Sequence, residues 1–346
     1  MVMAIGLAGM LGLAGFGGAQ ASAQEKVFKY SVDKIWDEGT HAAFTSLVKF
    51  KGKYYCSFRE GYSHIFDADG NAEGHTRILE SRNGKTWKPV LDQGIEGIDC
   101  RDPKLSITPD GRLMVSFGGS LYRDRELVSQ QCYVMFSDDG RHYTEPEKIV
   151  LSPKPAGNQN WLWRVTWNGD TGYGVSYGNG PEGRNLVLYK TQDGINYEAV
   201  KSLDPDGFGN ETTLRFLPDG RMLMMVRRDA GDCLGKWGVA EAPYTDWDIK
   251  SMPMRIGGQD FLVLDDGTIL AGTRSYFIGK HCKTVILRGN IDGDFEEVFT
   301  LPSDGDTSYP GLMVVGKELW VSYYSTTDKP GKAAIFLAKI PLEALL

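Results

Sequence analysis

Cysteine is scarce in this chain. Its 346 residues include five cysteines, an odd number, scattered and never spaced as C-x-x-C. That excludes a zinc ribbon and a disulfide-dense scaffold. Surplus positive charge is missing as well. The formal net charge is −7, so no broad basic face advertises nucleic-acid binding. No internal apolar run approaches the roughly 18 residues needed to span a membrane. Long helical periodicity is absent, and no Pro-, Gly- or Ser-rich linker divides the chain. Disorder is excluded from the other side, because 41% of the residues are hydrophobic and 11% aromatic.

What is present begins with a targeting signal. Met1 to Ala23 carry no charged side chain and end in Ala21-Ser22-Ala23, an A-x-A cleavage pattern. Residues 1–23 are predicted to be a signal peptide and 24–346 a single domain, secreted or periplasmic. Disulfides are permitted there. Spacing leaves the pairing of Cys56, Cys100, Cys132, Cys233 and Cys282 open, with at least one unpaired within the chain.

The body repeats one unit. An apolar strand, a Gly-containing turn and a second apolar strand recur as FTSLVKFKGKYYCSF, KLSITPDGRLMVSF, WRVTWNGDTGYGVSY, TTLRFLPDGRMLMMV, DFLVLDDGTILAGT and GLMVVGKELWVSYY. The turn glycines Gly52, Gly111, Gly169, Gly220, Gly267 and Gly316 are separated by 59, 58, 51, 47 and 49 residues. D-G and N-G turns are strong hairpin signals because the backbone needs φ > 0. A second element follows the first three hairpins: Ser81 to Trp87, Ser137 to Tyr143 and Thr191 to Tyr197, each reading [ST]-x-[DN]-G-x-x-aromatic. Weaker versions follow at Asp292-Gly293 and Asp246-Trp247. Six beats of about 50 residues predict an all-β fold, a six-bladed β-propeller. The segment KVFKYSVDKIW is the candidate for the strand that closes the ring.

Channel-facing chemistry is sought where inner strands begin. Glu211 opens the fourth hairpin, which ends in Arg227-Arg228-Asp229. Tyr309 opens the sixth. A Glu and a Tyr at equivalent places in different blades can meet across a channel, where Glu acts as base to a Tyr nucleophile. Arg101-Asp102-Pro103 opens the second unit, and Trp161-Leu162-Trp163-Arg164 falls at the start of the third. Trp163 is a candidate for stacking on a sugar face or for blade packing. His64 and His75 flank an acidic loop containing Asp67, but their spacing matches no metal-ligand pattern, so no metal and no cofactor are expected.

The short turns resemble the Asp-box of sialidases, usually written S-x-D-x-G-x-x-W, with one residue fewer before the aromatic. The runs NETTLRFLPDGRMLMMVRR and TSYPGLMVVGKELWVSYY are similar to the sialidase segments carrying the catalytic Glu and the nucleophilic Tyr. SFREGYSHIFDADGNAEGHTRILESRNGKTW looks like a sialidase first blade. The resemblance implies Tyr309 as nucleophile, Glu211 as its base, and Asp67 as acid/base with Asp69 as the alternative. It implies Arg227 and Arg274 as members of an arginine clamp on a substrate carboxylate. A neutral nucleophile suits an anionic sugar, and sialidases depart from the two-carboxylate pattern in this way. The clamp's first arginine should precede the first hairpin, where this chain has Thr40-His41-Ala42-Ala43-Phe44. Three possibilities remain: His41 or Arg59 takes its place, the carboxylate is held differently, or the substrate is not a sialic acid.

The expected function is a sialidase-like exo-glycosidase acting on a glycan substrate, with no nucleic acid and no membrane span. Two alternatives stand beside it. One is a propeller hydrolase or polysaccharide lyase acting on another acidic glycan, motivated by the missing arginine together with His41, His64 and Tyr309. The other is a non-catalytic glycan-binding propeller. The R-D-P run also resembles five-bladed glycosidases, against which the six-beat count speaks.

Overall fold

The computed structural model describes residues 2–5, 28–153, 160–180, 183–203, 206–276, 281–329 and 331–346. Most of the expected signal peptide lies outside these residues. Within it, Val2–Ile5 is a short strand antiparallel to Phe28–Ser31.

Antiparallel strands run one after another along the chain. The first unit is His41–Phe50, Lys53–Gly61, Gly74–Ser81 and Lys88–Gln93. The second is Asp99–Ile107, Leu113–Arg123, Glu126–Ser137 and the short Glu147–Lys148. The third comprises Asn160–Asn168, Thr171–Gly180, Gly183–Thr191 and Asn196–Leu203, with Val150–Ser152 added in parallel at its outer edge. The fourth is Gly209–Phe216, Met222–Arg228, Lys236–Ala240 and Asp248–Ser251. The fifth is Asp260–Val263, Ile269–Tyr276, Cys282–Gly289 and Phe295–Thr300. The last is Thr307–Val315, Glu318–Lys329 and Lys332–Pro341, completed by Phe28–Trp36 from the other end of the chain. The fold is an all-β propeller.

Counted by hydrogen bonding there are five sheets among the described residues, where the sequence predicts six blades. The first and last units share a nine-stranded sheet because a single parallel bridge, Ala333 to His41, connects them.

The six hairpin glycines all have φ between +57° and +90°. A Cβ on any of them would meet nothing within 4 Å. Their role is therefore conformational, since only glycine adopts this backbone without cost. The three short turns are built by their own side chains. Ser137 Oγ accepts from Gly140 N at 2.8 Å, and Asp139 Oδ1 accepts from Arg141 N and His142 N at 2.8 and 2.9 Å. Ser81 with Asn83, and Thr191 with Asp193, make the same bonds.

Each of these turns presses its glycine onto the preceding unit. A Cβ on Gly140 would lie 2.3 Å from Tyr55 Oη, and one on Gly194 would lie 3.1 Å from Met114 Sδ. Gly84 of the first unit sits in the same way against Trp320 of the last, at 2.1 Å. The turns are thus joints between neighbouring units, and the joint at Gly84 closes the ring. Apolar clusters fill the gaps. One of them gathers Phe44, Phe58, Trp163, Tyr309 and Trp320 from the first, third and last units.

Candidate active site

Five inner strands share one irregularity. In each, the register slips so that two residues oppose one on the neighbouring strand. The paired positions flank Phe44-Thr45, Asp102-Pro103, Trp163-Arg164, Asn210-Glu211 and Tyr309-Pro310. This is a β-bulge, which bends a strand and re-aims side chains. Phe44, Asp102 and Tyr309 have φ of 66°, 51° and 48°, an uncommon conformation for side chains of this size. The bulges turn these residues toward a common centre. In the fifth unit Gly258, at φ 60°, supplies space instead of a side chain: a Cβ there would lie 2.4 Å from Tyr309 Cδ2.

At that centre, Tyr309 Oη donates to Glu211 Oε1 at 2.5 Å. Arg227 Nη1 donates to both, at 3.0 Å to Glu211 Oε1 and 2.9 Å to Tyr309 Oη. Gly258 N holds the other carboxylate oxygen at 2.8 Å. Tyr309 and Glu211 are both buried. Burial, and after it the Glu211 carboxylate, hold the Tyr309 phenol well above its ordinary pKa, so the hydroxyl keeps its proton at neutral pH until a base removes it. Burial works against the Arg227 charge, but Glu211 and Tyr309 outweigh it and its pKa is raised. Arg274 lies over the Tyr309 ring at 5.5 Å. The structure therefore brings together Tyr309, Glu211, Arg227 and Arg274.

Other expected site residues are placed differently. Asp67 turns into its own loop, where Oδ1 accepts from Asp69 N at 2.9 Å and Asn71 N at 2.8 Å. The Asn71 backbone bond leads the contacts that lower its pKa. A carboxylate so satisfied is a loop brace, poorly suited to donate a proton. Arg59 is fully buried, with Nε on Asp99 Oδ1 at 2.7 Å and Nη1 on the Ser63 carbonyl at 2.8 Å. It is not available to a substrate carboxylate. His41 is 2% exposed, and its Nε2 is bonded to Asp306 Oδ2 at 3.0 Å. It stands at the first-arginine position without offering a free donor to a ligand. Arg101 is committed to Asp99 Oδ2 and the His64 carbonyl, each at 2.9 Å. Trp163 is buried, edge-on to Tyr309 at 5.8 Å, with Lys104 over its ring at 4.6 Å. It is a wall behind the tyrosine, so of its two candidate roles the structure favours packing.

Asp102 remains in the centre. Its Oδ1 is buried without a hydrogen-bond partner. Burial, opposed by Lys104 and reinforced by Glu211, raises its pKa. Lys104 is buried beside it, pushed down to about 7 by burial and then by Arg164.

Sequence reasoning gave no role to Asp306, Tyr324, Phe44 or Lys104. Asp306 is the hub of the site's second half. Its Oδ2 receives His41 and, at 2.6 Å, His64 Nδ1; its Oδ1 receives Tyr324 Oη at 2.6 Å and Arg274 Nη2 at 3.2 Å. Burial would raise its pKa, but the bonds from His41 and His64 lead the contacts that lower it. The ligand atoms of His41, His64 and Asp306 lie within 4.8 Å of one another. A guanidinium only donates, so the 3.4 Å contact of Arg101 Nη2 with His64 Nε2 assigns the lone pair to Nε2 and the proton to Nδ1. Hydrogen bonds then account for both carboxylate oxygens of Asp306 and both ring nitrogens of His64, while the buried His41 Nδ1 has no partner. The sequence signal was the pair Asp304 and Asp306 just ahead of Tyr309.

No protein-family model matches the chain, and no curated protein matches it. Solved structures do. A protein of unknown function from Dyadobacter fermentans superposes with a TM-score of 0.72 at 17% identity, covering 90% of this chain and 99% of that one. Trypanosoma rangeli sialidase in complex with sialic acid superposes at 0.67 and 9% identity, covering 90% of this chain and 58% of the sialidase. Penicillium chrysogenum α-L-arabinanase complexed with arabinobiose superposes at 0.66 and 13% identity, covering 88% and 95%. The chain shares their fold. At these identities the likeness extends to the fold alone, and any chemistry must be argued from the residues above.

Proposed function

We propose that this chain is an exported glycoside hydrolase that removes a terminal acidic sugar of the sialic acid type from a glycan. Its nine-stranded sheet is read as two blades meeting at one bridge, which makes six in all. Tyr309 attacks the anomeric carbon while Glu211 takes its proton, and Arg227 with Arg274 faces the substrate carboxylate. The observation that carries this reading is the 2.5 Å bond from Tyr309 to Glu211 inside a buried site. A buried phenol bonded to a carboxylate and an arginine is a nucleophile with its base in reach and a counter-charge for the developing phenolate. A neutral attacking oxygen also avoids repulsion by an anionic substrate.

The test is release of 4-methylumbelliferone from its sialic acid glycoside by the mature protein. Turnover lost in both Tyr309→Phe and Glu211→Ala supports the mechanism; full activity in Tyr309→Phe sinks it. A second reading, in which the acidic sugar is not a sialic acid, is favoured by the engagement of both His41 and Arg59 in other bonds. No first arginine is then left for a three-membered clamp. It predicts no release from the sialoside but turnover of uronic-acid glycans, either by hydrolysis or by elimination followed through the ultraviolet absorbance of the unsaturated product.

A further inference from the structure

The site continues outward past Arg227. Asp229 Oδ1 accepts from Arg227 Nε at 3.2 Å and from Arg255 Nη2 at 3.3 Å. Arg227 in turn donates to Tyr309 Oη at 2.9 Å. An unbroken line of contacts therefore joins Arg255 to the nucleophile. We propose that Arg255 and Phe208 form a second subsite, which takes the acidic sugar next to the one attacked; the favoured substrate is then a glycan with two acidic sugars in succession. The proposal rests on the reading given above.

Arg255 is open where Arg227 is closed, their side chains being 39% and 16% exposed. It lies three residues before Gly258, whose amide holds Glu211. Its guanidinium rests on the Tyr276 ring at 4.1 Å, a contact that steadies a long side chain before any ligand arrives. Arg274 lies over the same ring at 6.0 Å and over Tyr309 at 5.5 Å, so a second path leads back to the centre. Among the described residues, Asp229 is the one carboxylate that pairs with Arg255, and it divides itself between two guanidiniums. Arg255 Nε is buried without a partner, and no hydrogen bond engages Nη1 among the described residues. A guanidinium carries five N–H donors in a fork that matches a carboxylate. Nη1 is left to receive one.

Phe208 supplies an apolar wall. Its carbonyl accepts from Asp229 N at 3.4 Å, so it is tied to the same residue that holds Arg255. It is 51% exposed, and its φ is 52°, an uncommon conformation for a side chain of this size. Backbone strain kept at an exposed aromatic beside a site is of the kind found at ligand clamps. A sugar ring offers a face of C–H groups, which suits Phe208, and an acidic sugar adds a carboxylate, which suits Arg255. Two acidic sugars in succession repel each other. Separate cations, Arg227 with Arg274 for the first and Arg255 for the second, offset that repulsion. A neutral second sugar would leave Arg255 to Asp229 alone.

The test measures initial release of the terminal sugar from 3′-sialyllactose and from α2,8-disialyllactose by wild type, Arg255→Gln and Phe208→Ala. A hydrogen bond to a charged group is worth about 10- to 100-fold, and wild type should favour the disialyl substrate in kcat/KM by about that factor, mainly through KM. Added salt should shrink the preference. Arg255→Gln should erase most of it, and Phe208→Ala should reduce it by a smaller factor, about 2- to 10-fold. Melting curves for both variants establish that they fold. No preference in wild type, a preference unchanged in Arg255→Gln, or an equal loss on both substrates overturns the subsite and leaves the tyrosine mechanism standing. A preference unchanged in Phe208→Ala overturns the apolar wall. Turnover of neither substrate by wild type removes the sialic acid reading instead. Calorimetry with tetragalacturonate then decides the subsite: binding that weakens in Arg255→Gln sustains it, and equal or absent binding overturns it.

Discussion

The outer turns and the inner bulges of this propeller repeat in opposite ways. The turns at Ser81, Ser137 and Thr191 repeat residues: a hydroxyl, then Asn or Asp, then glycine, making the same bonds each time. The bulges repeat only backbone, and each carries a different side chain: Phe44, Asp102, Trp163, Glu211 and Tyr309. A joint between units has one task and tolerates one solution. A bulge has a geometric task only, so its side chain is left free for chemistry. Duplicated units keep the fold through their rims and differentiate at their centre.

Substitutions can break either side of this contrast. The largest effect is expected at a bulge side chain: Tyr309→Phe should lower kcat for the sialoside by about 10³-fold or more with an unchanged melting temperature. Next comes the buried cluster below the loop, where Asp99 holds Arg59 at 2.7 Å and Arg101 at 2.9 Å. Asp99→Asn strands a fully buried guanidinium and should cost about 3–5 kcal/mol in denaturant unfolding. A smaller loss, near that of an exposed pair, would show that water reaches Arg59.

Glycines separate joint from hairpin. Gly140→Ala meets both an unfavourable φ of +76° and Tyr55 at 2.3 Å, and should cost about 2–4 kcal/mol. Gly111→Ala meets only the φ of +79°, about 1–2 kcal/mol. Equal losses in the two would mean that the joint yields freely.

The smallest effect concerns Glu80, which ties the first joint together. It accepts from Arg141, Lys53 and Tyr55 at 2.8, 2.7 and 3.0 Å. Arg141 leads the contacts that hold its carboxyl down to about 2. A folded pKa below the ordinary value of about 4.3 stabilises the fold above that pH and ceases to do so as pH falls toward 2. Glu80→Gln should therefore lower stability at pH 7 and flatten the stability profile between roughly pH 4.5 and 2, where its difference from wild type closes.

Sequence legibility follows the same division. The hairpin glycines and the short turns were readable because each is satisfied by residues within a few positions of itself. Tyr309 and Glu211 were findable as polar residues opening apolar strands. The bulges were not, because a register slip is a property of two strands and leaves no mark on one. Asp67 misled for a related reason: its distance from Glu60 said nothing of the loop amides that claim it. His41, His64 and Asp306 come from opposite ends of the chain, and their meeting depends on closure. The count of sheets also differs from the count of hairpins, because one bridge between Ala333 and His41 joins the first unit to the last.

The strand Phe28–Trp36 pairs with Lys332–Pro341, so Ser31 lies opposite Lys339. During synthesis the early strand waits for a partner that is among the last segments made. Until then the last sheet lacks its two outer members, and the strand Glu318–Lys329, which carries Trp320 of the joint at Gly84, has an unpaired edge. A chain stopped short of its final strand leaves Phe28–Trp36 without its partner and the first unit without its bridge to the last, so the ring is expected to stay open until the finished chain takes hold of its own beginning.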